Sequence, residues 1–208
     1  MPPLPTPSPR TATWVVVLCG GTSNRLGGVD KTRESLAGTT VMDHLLGGLP
    51  SGWPVLCVGE QRATIRSVQW CRESPAGGGP VAGIAAALDH FDRVEGLDAA
   101  NPGNAICVVV GGDMPFAAPA VPTLVNALNA QPALDAVLAT DPGGRTQPLL
   151  AAYRSGALRA ALPREPGGAR LMSVIGELVI GTVACEAQTT LDVDTPESLE
   201  LARHIVGA

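Results

Sequence analysis

Short apolar runs alternate along this chain with longer amphipathic stretches, the pattern of strands that cross over through helices into a mainly parallel sheet. Six segments read as strands: 14–18, 54–58, 67–71, 105–110, 133–140 and 148–153. Ile106-Cys107-Val108-Val109-Val110 is apolar enough to be covered on both faces. Helices are expected over 41–49, from Pro80 to about residue 91, and over 119–129. In the second of these, Val81, Ile84, Leu88 and Phe91 share one face and Pro80 suits the first turn. The last helix has Thr195 as N-cap, Pro196 at its first position and Glu197 near the positive end of the dipole. Its inward residues, Leu199, Ala202, Ile205 and Val206, should pack on the sheet. The expected class is α/β, with helices on both faces of the sheet and no internal repeat.

The first ten residues hold five prolines and have no basic start followed by an apolar stretch, so residues 1–12 read as a disordered tail and 13–208 as a single domain. The polar segment 93–104 reads as a surface loop. A chain of 208 residues is long enough to bury a core without disulfides. Its five cysteines are odd in number and lack C-x-x-C spacing, which points to free thiols in a reducing cytoplasm. No apolar segment approaches the ~20 residues of a membrane span. The net charge of −5, with scattered arginines, argues against a nucleic-acid partner.

The chemistry concentrates in Leu18-Cys19-Gly20-Gly21-Thr22-Ser23-Asn24-Arg25-Leu26-Gly27-Gly28-Val29-Asp30-Lys31, directly after the first strand. Glycines let backbone N–H groups turn toward an anion, and Arg25 and Lys31 add charge that those dipoles cannot supply. Polyphosphate is the matching ligand. Spacing excludes a P-loop, because Asp30 stands immediately before Lys31 where glycine is required. The dinucleotide pattern G-x-G-x-x-G fails at Thr22, and a hydrolase elbow around Ser23 fails at Arg25. Lys31 is the only lysine in the chain.

The order Leu-x-Gly-Gly-x-x-x-Arg-Leu-Gly-x-x-Asp-Lys resembles the signature loop of the nucleotidyltransferase family that includes molybdenum cofactor guanylyltransferase. Three later segments resemble that family in the same order: Gly79-Pro80-Val81-Ala82-Gly83, Gly112-Asp113-Met114-Pro115 and Asp192-Val193-Asp194-Thr195-Pro196-Glu197. The resemblance implies a three-layer Rossmann-like nucleotidyltransferase fold. It implies transfer of a nucleoside monophosphate from a triphosphate to a phosphorylated acceptor, with Mg²⁺ and release of pyrophosphate. GTP and molybdopterin are then the small-molecule partners, and molybdoenzymes or other cofactor-synthesis proteins the protein ones.

By this resemblance Leu18, Gly20, Gly21, Arg25, Lys31, Gly79 and Asp113 bind the nucleotide. Arg25, Lys31 and Asp113 serve catalysis, and Asp113 and Asp194 hold the metal. Asp113 lies just past a buried strand, where ligands gather in an open parallel sheet, and a hard cation needs oxygen ligands. Its bland alternative is a turn residue ahead of Pro115. Asp192 and Asp194, two apart in an extended segment, share a side. They equally suit a charge cluster at the start of the last helix. Arg25 grips phosphate or pairs with Asp30 or Glu34, and the 77–80 glycine run holds the base or is a plain connector. Arg145 and Gln147 are candidates for the acceptor side. Cys19, where the family commonly has Ala, is a small apolar replacement and no nucleophile.

One motif departs from the guanylyltransferase pattern: Asp192-Val193-Asp194 replaces the usual Asn-x-Asn, and related cytidylyltransferases more often read Asp-x-Asp. GTP is expected from the loops; CTP is the alternative that this motif sustains. A nucleotide-binding module without turnover is a third reading. Against it stands the joint retention of Arg25, Lys31, Asp113 and Asp194.

Overall fold

A computed structural model describes residues 12–20, 30–93 and 105–207. Gly21, Ser23, Arg25, the N-terminal tail up to residue 11 and most of the expected surface loop lie outside the described residues. Among those described, seven strands form one sheet: β1 (Thr13–Leu18), β4 (Val55–Val58), β5 (Gln69–Cys71), β6 (Ile106–Gly111), β7 (Ala136–Thr140), β8 (Thr146–Arg154) and β9 (Ile180–Ala184), in the order β5-β4-β1-β6-β8-β7-β9. Only β8 runs antiparallel to its neighbours. A separate hairpin pairs β2 (Ser35–Leu36) with β3 (Thr39–Thr40).

The central strands are buried on both faces, and successive residues supply two different cores. Val15, Val17, Val108 and Val110 pack with Leu45 and Leu46 of α1 (Val41–Gly48) and Leu124 and Leu128 of α3 (Ala120–Ala130). Val16, Leu56 and Val109 face Val81, Ile84 and Leu88 of α2 (Gly79–Arg93), with Leu158 of α4 (Ser155–Ala161) and Val174 of α5 (Leu171–Ile175). This is the expected three-layer α/β fold. The α1 C-terminus is held by Arg66, whose guanidinium donates to the carbonyls of Leu46, Leu49, Pro50, Ser51 and Trp53.

Three differences from the sequence reading have local causes. Residues 133–135 are not strand: the chain turns after α3, with the Leu134 N–H bonded to the Gln131 carbonyl at 3.0 Å. β9 lacks an apolar face to announce it, since its residues alternate between exposed and half-buried around Gly181. The last helix, α6 (Pro196–Gly207), does not pack on the sheet. Its Leu199 and Ala202 join Leu36, Val41, Phe116 and Val193 in a third, smaller core under the hairpin.

Candidate active site

β1 and β6 are parallel neighbours that end together, Leu18 opposite Gly111. The Gly112 N–H then donates to the Leu18 carbonyl at 2.9 Å. That approach favours glycine, because a Cβ at position 112 would stand 3.0 Å from the Leu18 oxygen, tighter than ordinary contact. Asp113 follows, and its own carbonyl accepts the Val193 N–H at 2.9 Å. This bond, with Val193 fully buried, draws the 192–194 segment against the end of β6. Ser198 completes the turn into α6: its hydroxyl accepts the N–H groups of Asp194 and Thr195 at 2.9 and 3.0 Å, while its own N–H donates to the Thr195 hydroxyl at 3.2 Å. Thr195 is thus the N-cap that the sequence announces.

Lys31 opens a single 3₁₀ turn, Lys31–Arg33, whose N-cap Asp30 accepts the Thr32 N–H at 3.1 Å. Its Nζ donates to Asp113 Oδ2 at 2.9 Å and to Asp194 Oδ1. Three residues separated by up to 163 positions therefore converge on one ammonium. Burial acts to lower the Lys31 pKa, but Asp113 and Asp194 together outweigh it and raise it. Asp192 joins the group. Its carboxyl pKa is raised, first by burial and then by the charges of Asp194 and Asp113.

Beside this charged group opens a cleft of about 200 Å³ at the carboxyl ends of the strands. Leu18, Gly20, Gly79 and Asp113, four of the residues expected to bind nucleotide, are among its lining. The first turn of α2 forms a further wall through Pro80 and Gly83. Arg145 and Gln147 are not among its lining residues. Arg145 instead sits in an exposed turn, its N–H bonded to Asp141 Oδ1 at 2.9 Å. The buried Cys19 thiol has a pKa held well above its ordinary value by a hydrogen bond with Cys57 and by burial, and is no thiolate nucleophile.

Glu73 escaped the sequence reading, and the cleft contains it. It precedes the 77–79 glycines, and its Oε1 accepts the Gly77 N–H at 3.1 Å. Across the cleft Gly20 leaves it room, a Cβ there lying 3.6 Å from the same oxygen. A lone acid between β5 and a glycine run was the available signal.

The residues present fit a small divalent cation. Among the described residues no group of three or more His, Cys, Asp and Glu side chains forms a complete metal cage. Mg²⁺ does not need one, since it is ordinarily held by one or two carboxylates plus substrate phosphates. Asp113 and Asp194 are such a pair, and already have a cationic group, the Lys31 ammonium, between them.

A phosphate-loop sequence on an α/β sheet, a cleft at the strand ends and paired carboxylates beside it define a protein of the nucleotide-handling α/β class. The chain belongs to the MobA-like NTP transferase domain family, whose model matches residues 15–181. It is 34% identical over 91 residues to the molybdenum cofactor guanylyltransferase of Vibrio cholerae, covering 42% of this chain and 44% of that protein. The chain thus spans less than half the length of that curated relative. Among solved structures it resembles molybdopterin-guanine dinucleotide biosynthesis protein A from Archaeoglobus fulgidus, with TM-score 0.67 and 24% identity over 93% of this chain and 98% of that one. It also resembles a CMP:2-keto-3-deoxy-manno-octonic acid synthetase bound to CTP, with TM-score 0.65 and 17% identity over 95% and 99% of the two chains. At such identities these likenesses establish the fold. No helix among the described residues is long and apolar enough to cross a membrane.

Proposed function

We propose that this protein transfers GMP from GTP to the phosphate of molybdopterin, yielding a molybdopterin guanine dinucleotide and pyrophosphate. The convergence of Lys31, Asp113 and Asp194 at the mouth of a glycine-lined cleft carries this reading. The acceptor phosphate is already ionised at neutral pH, so attack on the α-phosphorus needs no protein base. The protein's work is positioning and charge. Gly20 and Gly21 offer backbone N–H groups to the phosphates, and Arg25 and Lys31 neutralise the departing pyrophosphate. Asp113 and Asp194 would hold Mg²⁺, which would supply positive charge to the phosphate oxygens. Lys31 occupies the space between these carboxylates.

Glu73 favours guanine over cytosine. A carboxylate accepts from the adjacent N1–H and N2–H₂ donors of guanine, while the corresponding edge of cytosine presents the N3 and O2 acceptors and would be repelled. The Asp192-Val193-Asp194 motif keeps a cytidylyltransferase as the second reading, since by resemblance those enzymes more often read Asp-x-Asp there. Pyrophosphate release measured with GTP, CTP and ATP, with molybdopterin as acceptor and Mg²⁺ present, tests both. GTP-dependent release is expected. Preference for CTP would overturn the assignment in favour of the second reading, and nucleotide binding without turnover would leave only a binding module.

A further inference from the structure

The residues on either side of Lys31 are held by one guanidinium that comes from 31 positions later in the chain, on the connection between β4 and β5. Arg62 Nη1 donates to Asp30 Oδ2 at 2.9 Å, and Nη2 donates to the Thr32 hydroxyl. Nη2 also lies 3.1 Å from the Met42 sulfur, and the guanidinium carbon stands 5.9 Å from the centroid of the Trp70 ring. The Arg62 side chain is 12% exposed. Arg33 reaches the same Asp30 oxygen at 3.1 Å, yet is 48% exposed and shared with Glu60, so it is the weaker holder.

We propose that Arg62 is a positioning residue: its planar fork fixes Asp30 and Thr32, and thereby aims the Lys31 ammonium at Asp113 and Asp194. The inference rests on the reading of Lys31 given above. The Lys31 stem is four flexible carbons and supplies no direction of its own. Direction has to come from the turn that carries it. Asp30 Oδ1 already caps that turn through the Thr32 N–H, and Arg62 ties the other carboxylate oxygen and the Thr32 hydroxyl to the β4–β5 connection. The chain of contact then runs from Trp70 through Arg62 to residues 30 and 32, and from Lys31 to the two aspartates. A lysine at 62 would keep the charge but could not bridge two acceptors in one plane. The Arg62–Asp30 pair is neutral as a unit, so its effect on the site is one of geometry.

The single lysine makes the test direct, because protein labelled with ¹³C,¹⁵N-lysine gives one side-chain signal, that of Lys31. In the unmodified protein this signal should be that of an ordered ammonium, distinct from free lysine. In Arg62→Met and Arg62→Gln, neither of which adds a second lysine, it should move toward free lysine and narrow. Turnover number should fall by about 10²-fold in Arg62→Met, the scale of a small misplacement of a catalytic group, with KM for the nucleotide changed much less. In a Lys31→Ala background the same substitution should cost less than about twofold, because residues that act through one another are not additive. An unchanged lysine signal, or a loss that multiplies in full onto that of Lys31→Ala, would overturn the proposal. If Lys31→Ala keeps full activity, the catalytic reading of Lys31 fails, and the lysine signal alone still decides whether Arg62 aims it. Should Arg62→Met not fold, Arg62→Gln carries the same measurements.

Discussion

At the α2 end of the cleft, Leu18, Gly79, Pro80 and Gly83 make a wall whose shape depends on missing atoms; a Cβ on Gly83 would already press Leu18 Cδ2 at 3.1 Å. At the β6 end, Asp113 and Asp194 share the Lys31 ammonium, and Asp192 adds a third carboxylate close enough for their charges to act on it. The first end is complete as it stands. The second carries more negative than positive charge, and burial of Asp192 beside its neighbours expresses that excess as a raised pKa. Under the proposed function, a site arranged this way would select by shape and hydrogen bonding at one end and react at the other, where incoming cationic charge is favoured. Substitutions at the two ends should therefore separate into effects on nucleotide choice and effects on turnover.

The largest effect is expected from Asp113→Ala, which removes one of the two carboxylates that hold Lys31 and that, in the proposed function, would hold the cation. Activity at saturating Mg²⁺ should fall by ~10²-fold or more. The melting temperature should change little, since Asp113 is part-exposed and the backbone bond to Val193 is retained. Full activity in this variant would remove Asp113 from the reacting end.

A purely steric change at the same end comes next. A Cβ on Gly111 would lie 2.6 Å from Asp113 Oδ1, the movable tip of a side chain, whereas one on Gly112 would lie 3.0 Å from the fixed Leu18 carbonyl. Gly111→Ala should displace the Asp113 carboxylate and lower the turnover number by about tenfold with most stability retained. Gly112→Ala should instead cost about 1–3 kcal/mol of stability, read by urea unfolding, because backbone must move. Equal stability losses in the two variants would show that the charged end is no more adjustable than the sheet beneath it.

How much of this was legible beforehand follows from where the information sits. β1, β4 and β6 announce themselves because both of their faces are covered, leaving unbroken apolar runs such as Val15-Val16-Val17. β9, the two-residue hairpin strands and the short α4 and α5 do not, because their order comes from neighbours and not from their own periodicity. Within the site, Lys31, Asp113 and Asp194 stand in recognisable motifs and meet in space. Glu73 and Arg62 stand in no motif. Their roles depend on what faces them across the fold, Gly20 for one and Asp30 and Thr32 for the other. The misplacement of α6 has the same origin: its apolar stripe was visible, but not that Leu36 and Val193 would cover it.

At the shape-selecting end, Glu73→Gln should lower kcat/KM for GTP by about tenfold while leaving the turnover number at saturating nucleotide much less affected. The amide keeps one acceptor and turns a donor toward a guanine donor, leaving that pair unsatisfied. The ratio of GTP to CTP use should narrow accordingly, measured in competition at equal concentrations. If both nucleotides lose equally, Glu73 only braces the Gly77 N–H and the base is chosen elsewhere.

The smallest effect is a pH dependence, and its sign separates the two ends. The folded pKa of Lys31 is raised, by Asp113 and Asp194 against the opposing effect of burial. Its contribution to stability is therefore fully present below the unfolded value of ~10.4 and is lost as pH rises through the higher folded value. Buried thiols also weaken the fold in alkali: Cys71 is pushed up to about 11 and Cys107 to about 12, chiefly by burial, so unfolding releases their protons from about pH 8.5 upward. Comparison of the unmodified protein with Lys31→Met cancels the thiol contribution, which both share. The remaining difference should be about 1 kcal/mol or less, as befits a half-buried pair open to solvent screening. It should hold constant through pH 9 and shrink only above about 10. A difference that vanished near neutrality instead would mean that Lys31 is not paired with the two aspartates in solution, and the charged end would lose the cation around which it is drawn here.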